Sequence, residues 1–217
     1  MIVDLNLQNK TIVVVGGGNE AQKRINSLLK QECKIIVISN KVTPNIIKLS
    51  KTKKIILKKQ KISDTKFISK LKPNLIITTT DDKKINQKII NDAKKKNILA
   101  YSSDNPDDSD FSNPAVIDFE NMIQIAIFTG GKSPIMSKKI KDRSEKLFKK
   151  IITKEDIAQI KIQKTARKIA KETIPTPEQR RECLRSIMSD NEIDQLIKDG
   201  QAKKAEKRAI TILRNWK

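Results

Sequence analysis

Residues 12–21 read Ile-Val-Val-Val-Gly-Gly-Gly-Asn-Glu-Ala: an apolar run, three glycines, then the opening of a helix-like segment. A strand that turns sharply into a helix leaves backbone N–H groups pointing outward. The helix N-terminus there carries partial positive charge, so the turn suits a pyrophosphate. Gly16 allows the tight turn, Gly18 lets a phosphate approach the backbone, and Ala21 lets helix and strand pack closely. Gly17 lies between them, and Asn19 and Glu20 begin the helix. Taken alone, the pattern also fits an ordinary strand-to-helix connection.

Proton chemistry is narrowed by an absence. The chain has no histidine, which excludes Ser-His and Cys-His nucleophile pairs and any histidine-ligated metal. A proton carrier would have to be Asp, Glu, Lys, Tyr or Cys. Asp104 follows the fifth apolar run of the chain. It fits a turn before Asn105-Pro106, and it also fits a base at the edge of a sheet. Asp107, Asp108 and Asp110 sit in the same polar turn and read as surface residues. Cys33 and Cys183 form no CxxC pattern, so neither a disulfide framework nor a metal site is predicted. Free thiols suit a reducing compartment.

The elements that must position these residues alternate. Strands are predicted at Thr11–Val15, Lys34–Ser39, Ile55–Leu57, Asn74–Thr79 and Asn97–Tyr101. Helices are predicted at Asn19–Gln31, from Pro44 to about Ser50, at Asp64–Leu71 and at Asp82–Lys96. Strands that are continuous apolar runs, alternating with helices, imply α/β architecture with a Rossmann-like, doubly wound parallel sheet covered on both faces. The pattern changes after Asp104. Two strand-like segments, Ala115–Phe119 and Ile123–Phe128, joined by Glu120-Asn121, predict a hairpin. Ser133 and Pro134 suit an N-cap and first helical position. From Ile135 onward the chain reads as helical, broken near Thr153, at Pro175–Pro177 and around Gly200. The predicted organisation is a nucleotide-binding domain at 1–112, a hairpin-plus-helix segment at 113–150 and a helical C-terminal region at 151–217.

At 217 residues the chain can hold one good core and a smaller second unit. No apolar run approaches the ~20 residues of a membrane span, and no basic-then-apolar leader opens the sequence, so a cytoplasmic protein without membrane partners is expected. The net charge is +21, and the excess is spread: 22 basic and 11 acidic residues in 1–112, 24 and 14 in 113–217. Only 8 of the 46 basic residues are Arg, and Ile and Asn are abundant. A lysine coat set by codon usage explains that pattern; a polyanionic partner also would. Aromatics make up 3%, too few for base stacking along a nucleic acid strand, so no nucleic acid partner is expected.

Four motifs, in order, carry a resemblance. They are Val13-Val14-Val15-Gly16-Gly17-Gly18 with Ala21; Thr78-Thr79-Thr80-Asp81-Asp82 with Asn86; Ser103-Asp104 followed by Phe111, Pro114 and Ala115-Val116-Ile117-Asp118; and Thr129-Gly130-Gly131-Lys132-Ser133-Pro134. Over nearly its whole length the chain resembles the precorrin-2 dehydrogenase and sirohydrochlorin ferrochelatase family, which includes the N-terminal half of siroheme synthase and stand-alone relatives. Arg180-Arg181 also stands where family members have an arginine cluster.

The resemblance implies NAD+-dependent oxidation of precorrin-2 to sirohydrochlorin, with Fe2+ as a further substrate in members that also make siroheme. It implies a homodimer, contacted through the segment after the nucleotide domain, and a tetrapyrrole substrate with eight carboxylates. Asp104 matches the family's catalytic aspartate. Asn19 and Glu20 match family cofactor contacts beside Gly16, Gly17 and Gly18. The loop of Thr129, Gly130, Gly131, Lys132 and Ser133 matches a loop near the tetrapyrrole. From the residues themselves, Thr79 and Thr80 are cofactor neighbours at the end of the fourth strand, where Asp81 or Asp82 caps the next helix. The second strand ends Ser39-Asn40-Lys41, without the acid that commonly holds ribose hydroxyls. Asn40 can bond a ribose hydroxyl and Lys41 can favour a 2′-phosphate, so the choice of NAD over NADP rests on the resemblance. The alternatives are a bifunctional enzyme that also inserts Fe2+ into sirohydrochlorin and a nucleotide-sensing module with the same sheet and no chemistry.

Overall fold

The centres of the strands are continuous apolar runs, and the sheet shows why. In the computed structural model, which describes residues 2–216, five parallel strands lie in the order β3-β2-β1-β4-β5. They are β1 (Thr11–Val15), β2 (Lys34–Ile38), β3 (Ile56–Lys58), β4 (Leu75–Thr78) and β5 (Leu99–Ser102). Val14 sits in register with Val37 on one side and Ile77 on the other. Successive residues point to opposite faces, and both faces are buried. Ile12, Val14, Ile35, Val37 and Ile77 pack on one face with Ala21, Ile25 and Ile46. Val13, Val15, Ile36, Ile38 and Ile76 pack on the other with Phe67, Ile85, Ile89 and Ala93.

Helices α1 (Asn19–Leu28) and α2 (Pro44–Lys51) cover the first face, and α3 (Lys66–Leu71) and α4 (Lys83–Lys94) the second. Each fully buried Ile or Val contributes about 1.5–3 kcal/mol of transfer free energy. The doubly wound sheet predicted from alternation is therefore the fold observed. Helix α1 stops at Leu28, short of the predicted Gln31: the chain turns at Lys30-Gln31, and Glu32 adopts a left-handed backbone (φ 50°) to enter β2. Helix α3 starts two residues later than predicted, because the Asp64 carboxylate accepts from the Lys66 amide and holds the preceding residues in a turn.

The chain divides into two units, the first ending at Asn113 and the second beginning at Pro114. The second opens with an antiparallel hairpin, β6 (Ala115–Phe119) and β7 (Ile123–Ile127). Glu120 and Asn121 both take positive φ (52° and 57°), the backbone a tight hairpin turn requires. Five helices follow: α5 (Pro134–Ile151), α6 (Lys154–Thr173), α7 (Pro177–Met188), α8 (Asn191–Lys198) and α9 (Ala202–Arg214). The last four bury Ile162, Ala166, Cys183, Ile187, Ile193, Ala209 and Leu213 in one core. The predicted breaks at Thr153, Pro175–Pro177 and Gly200 all occur. A further break separates α7 from α8, where the Asp190 carboxylate accepts from the Ile193 amide at 2.9 Å and caps a new helix. Among the described residues no helix is long and apolar enough to cross a membrane.

Candidate cofactor cleft and the Asp104 network

The C-terminal ends of β1, β2 and β4 surround a cleft of about 470 Å3 lined by Gly16, Gly17 and Gly18, by Asn40 and Lys41, and by Thr79 and Thr80. Its position follows from the strand order. The crossovers from β1 run toward β2 on one side, and β4 lies on the other. The loops therefore diverge above β1 and leave a crevice there.

Each glycine answers a different demand. Gly16 has φ +118°, and a Cβ there would collide with Thr79 Oγ1 and lie 3.0 Å from the Thr79 carbonyl carbon. Thr79 cannot yield, because its amide and hydroxyl both donate to the Val15 carbonyl, at 2.8 and 3.1 Å. At Gly17 a Cβ would strike the Lys41 carbonyl oxygen and stand 2.6 Å from Val42 Cγ1. This packing is tight because the Thr43 amide donates to the Gly17 carbonyl at 3.0 Å. At Gly18 nothing lies within 4 Å of where a Cβ would stand. The first two glycines serve the fold; the third keeps space open in the cleft.

Gly18 is also the N-cap of α1, and no side chain bonds the first-turn amides. Helices α2, α4 and α5, by contrast, are capped by Thr43, Asp82 and Ser133. An uncapped helix N-terminus beside open space is a ready anion site. The residues present thus fit a dinucleotide: the α1 N-terminus and Gly18 for the pyrophosphate, and Asn40 and Lys41 at the end of β2 for a ribose. Asp82 accepts from the Ile85 amide at 3.1 Å, so of the two aspartates it is Asp82 that caps α4.

Asn19 and Glu20 occupy the first turn of α1 but do not line the cleft. The Glu20 carboxylate is paired with Arg24 at 2.5 Å and Lys23 at 3.2 Å. Burial by itself would raise its pKa, but Arg24 and Lys23 outweigh that and hold it below the usual carboxylate value. Arg24 in turn donates to the Tyr101 hydroxyl at 3.1 Å and lies 5.0 Å from that ring's centroid.

Asp104 stands just past β5 on an exposed turn, yet it is held from behind. Its Oδ1 accepts from Ser102 Oγ at 2.6 Å and from Asn86 Nδ2 at 2.8 Å. Thr78 Oγ1 lies 3.0 Å from Ser102 Oγ and extends the chain of hydroxyls into the sheet. Asn86, only 1% exposed, also donates to the Thr80 carbonyl at 2.8 Å and accepts from Thr80 Oγ1 at 2.6 Å. The amide of Asn86 therefore joins Asp104 to Thr80, a residue of the cleft wall. With Oδ1 so occupied, Oδ2 accepts no hydrogen bond among the described residues.

The loop Thr129–Ser133 belongs to the second unit. Thr129 Oγ1 accepts from the Ser133 amide at 3.2 Å and lies 3.0 Å from Ser137 Oγ, while Ser133 caps α5 through the Met136 amide. Gly130 and Gly131 take φ values of 65° and 76° to make the turn, and Lys132 is exposed. No group of three or more metal-ligating side chains exists among the described residues.

Gln60, Lys61 and Ile62 also line the cleft, although no motif in the sequence marks them. The signal was positional: they follow a strand that lies next to β2, whatever their residue types. Asn86 was singled out only as part of a motif; its role in linking Asp104 to the cleft was not read.

The sheet order and the uncapped glycine turn define a dinucleotide-binding α/β protein. Comparison with known proteins agrees. Residues 3–115 match the family model NAD_binding_7, described as "Putative NAD(P)-binding", and the chain belongs to that NAD(P)-binding family. It is similar to the siroheme synthase of Psychromonas ingrahamii, 29% identical over 201 residues, covering 92% of this chain and 40% of the relative. It is also similar to the siroheme synthase of Ruthia magnifica, 32% identical over 143 residues, covering 65% of this chain and 29% of the relative. The chain thus spans well under half the length of these relatives. A solved structure named "SirC, precorrin-2 dehydrogenase" superposes with a TM-score of 0.70 at 21% identity, over 97% of this chain and 99% of that one. The family resemblance and the fold expected from the sequence motifs are both borne out.

Proposed function

We propose that this protein is an NAD+-dependent precorrin-2 dehydrogenase that forms sirohydrochlorin. The observation that carries the reading is the Asp104–Asn86–Thr80 network, which ties a carboxylate at the sheet's edge to the wall of the cofactor cleft. Similarity to siroheme synthases and to a structure named a precorrin-2 dehydrogenase supplies the substrate.

Dehydrogenation removes a hydride and a proton from the substrate. Bound NAD+ supplies the hydride acceptor. The chain supplies placement and the base. The open amides of α1 and Gly18 bind the pyrophosphate, Asn40 a ribose hydroxyl, and Thr79 and Thr80 border the site from β4. Ser102 and Asn86 orient the Asp104 carboxylate, which takes the proton on Oδ2. Lys132 and the amides of Gly130 and Gly131 meet substrate carboxylates. Exposed Ile135, Leu147 and Ile151 on α5 support self-association through the segment after the nucleotide domain.

The test is direct. Purified protein is mixed with precorrin-2 and NAD+ and absorbance is followed. Appearance of the sirohydrochlorin spectrum together with NADH is the expected result; its absence with folded, NAD+-binding protein overturns the reading in favour of a nucleotide-sensing module.

A further inference from the structure

A dinucleotide laid on this sheet has a fixed direction. Its pyrophosphate belongs at the open amides of α1, and its adenosine ribose at the end of β2. The groups at the end of β2 therefore read the ribose 2′ position, where a carboxylate accepts from a hydroxyl and repels a phosphate. This chain has Ser39, Asn40 and Lys41 there, and no carboxylate. The Ser39 hydroxyl donates to the Lys41 carbonyl at 2.6 Å and closes the turn, and Asn40 and Lys41 are exposed on the cleft wall. Asp81 and Asp82, the carboxylates of the cleft, follow β4 on the other side.

A second cavity, of about 270 Å3, opens off the cleft at this same end, and Ile38, Gln60, Lys61 and Ile62 line both. The backbone places them. The Ser39 amide donates to the Lys58 carbonyl at 3.2 Å and joins the ends of β2 and β3, and the Gln60 amide donates to that same carbonyl at 3.0 Å. The second bond spans two residues, as in a γ-turn, and bends the chain as it leaves β3, so residues 60–62 border the end of β2.

The smaller cavity is cationic. Lys58, Lys61 and Lys70 line it, and among the described residues none of the three, nor Lys41, has an ion-pair partner. Its carboxylate, Asp64, is already engaged: Oδ1 accepts from the Lys66 amide at 3.0 Å, and Oδ2 lies 3.8 Å from the Lys66 ammonium. Lysine is frequent enough in this chain that one at position 61 needs no explanation by itself. The missing acid, the neutralised Asp64 and the room beside the ribose are independent of that frequency.

We propose that the cleft accepts NADP+ as well as NAD+, with Lys61 and Lys41 holding the adenosine 2′-phosphate where the second cavity opens. Lys61 is the lysine that lines both cavities. Lys41 approaches from the loop after β2, so two ammonium charges meet the phosphate from the two loops that flank the ribose. The inference rests on the dinucleotide reading of the cleft and not on the tetrapyrrole substrate.

Isothermal titration of the full chain with NAD+ and NADP+ tests it, at low ionic strength because salt screens exposed charges. NADP+ should bind at least as tightly as NAD+. Lys41→Ala combined with Lys61→Ala should weaken NADP+ about tenfold or more and NAD+ about threefold or less. Lys61→Gln alone should weaken NADP+ in the same direction. The parent should prefer 2′,5′-ADP to 3′,5′-ADP, which has the same charge with one phosphate moved, and the double variant should lose that preference. Lys48→Ala with Lys51→Ala removes the same charge from the last turn of α2, outside both cavities, and should leave the NADP+ to NAD+ ratio unchanged. The melting temperature is measured on every variant. NADP+ binding about tenfold or more weaker than NAD+ overturns the inference. So does unchanged NADP+ affinity in both lysine variants, equal binding of the two ADP isomers, or an equal loss in the α2 control. The readings fail separately. Folded protein that binds neither nucleotide removes the dinucleotide cleft itself, and NAD+ binding with NADP+ rejected sinks only this inference. Absent precorrin-2 turnover with lysine-dependent NADP+ binding sinks only the dehydrogenase.

Discussion

Asn86 Nδ2 reaches Asp104 Oδ1 at 2.8 Å while the same amide group binds both the carbonyl and the hydroxyl of Thr80. One buried side chain thus sets the orientation of a carboxylate on an exposed turn and of a threonine in the cofactor cleft. Asp104→Ala should lower kcat by about a hundredfold or more, as loss of a general base does, with NAD+ affinity unchanged by isothermal titration. Asn86→Ala should lower kcat more than it alters the KM for precorrin-2. It should also cost about 1–3 kcal/mol of stability, since the Thr80 hydroxyl and carbonyl lose their partner. Equal kcat in parent and Asp104→Ala removes that residue from the mechanism.

The three glycines should separate by their neighbours. Gly16→Ala combines a left-handed backbone with a collision against Thr79 and should destabilise the fold by about 1–3 kcal/mol or more. Gly18→Ala meets nothing within 4 Å, and Gly18 has an ordinary φ of −79°, so the melting temperature should hold. Its Cβ would stand in the space left for the pyrophosphate, and NAD+ binding should weaken about tenfold. A Gly18→Ala protein that binds NAD+ normally would move the cofactor elsewhere.

Cofactor choice should turn on the end of β2. Asn40 and Lys41 line the cleft, and Lys61 joins them, with no carboxylate on that side. Asn40→Asp should favour NAD+ over NADP+ by about tenfold relative to the parent, because a carboxylate accepts from ribose hydroxyls and repels a 2′-phosphate. Parallel titrations with the two nucleotides measure the ratio.

The Glu20 pair has a defined pH signature. Its carboxyl is held below the ordinary value by Arg24 and Lys23 against the opposing effect of burial. The stabilisation is therefore fully present above the unfolded-state pKa and is lost as pH falls through the lower folded-state value. Glu20→Gln should cost less than about 1 kcal/mol at neutral pH, since the carboxylate is a third exposed. Denaturant melts should show the gap between parent and variant closing as acid is added; a gap that widens in acid contradicts this.

Leu147 and Ile151 are 62% and 66% exposed near the end of α5. If they are covered by a second copy of the chain, Leu147→Lys with Ile151→Lys should convert a dimer to a monomer in light scattering. A parent that is already monomeric at micromolar concentration removes self-association from the proposal.

Much of this could be read along the chain because it depends on local spacing. Continuous apolar runs require burial on both faces, so β1, β2 and β4 were legible as a covered parallel sheet. Ser133 before a Pro-starting helix was legible as a cap because capping is a matter of three residues. The break at Asp190 was missed, since the helical pattern of α7 runs on into α8 without glycine or proline. The Ser189 hydroxyl, which donates to the Arg185 carbonyl at the end of α7, and the Asp190 cap of α8 divide them.

The sequence by itself determined that a glycine turn would meet a helix N-terminus at the edge of a buried sheet, because backbone geometry and hydrophobic period are properties of neighbours in the chain. Only the tertiary structure decided which side chains serve it. Asn86 and Asp104 are eighteen positions apart and meet because β4 and β5 pair in register. Lys41 and Lys61 line one cleft because β2 and β3 pair in register. Hydrogen bonds and charge clusters depend on distances of a few ångströms, and packing of non-neighbours sets those distances.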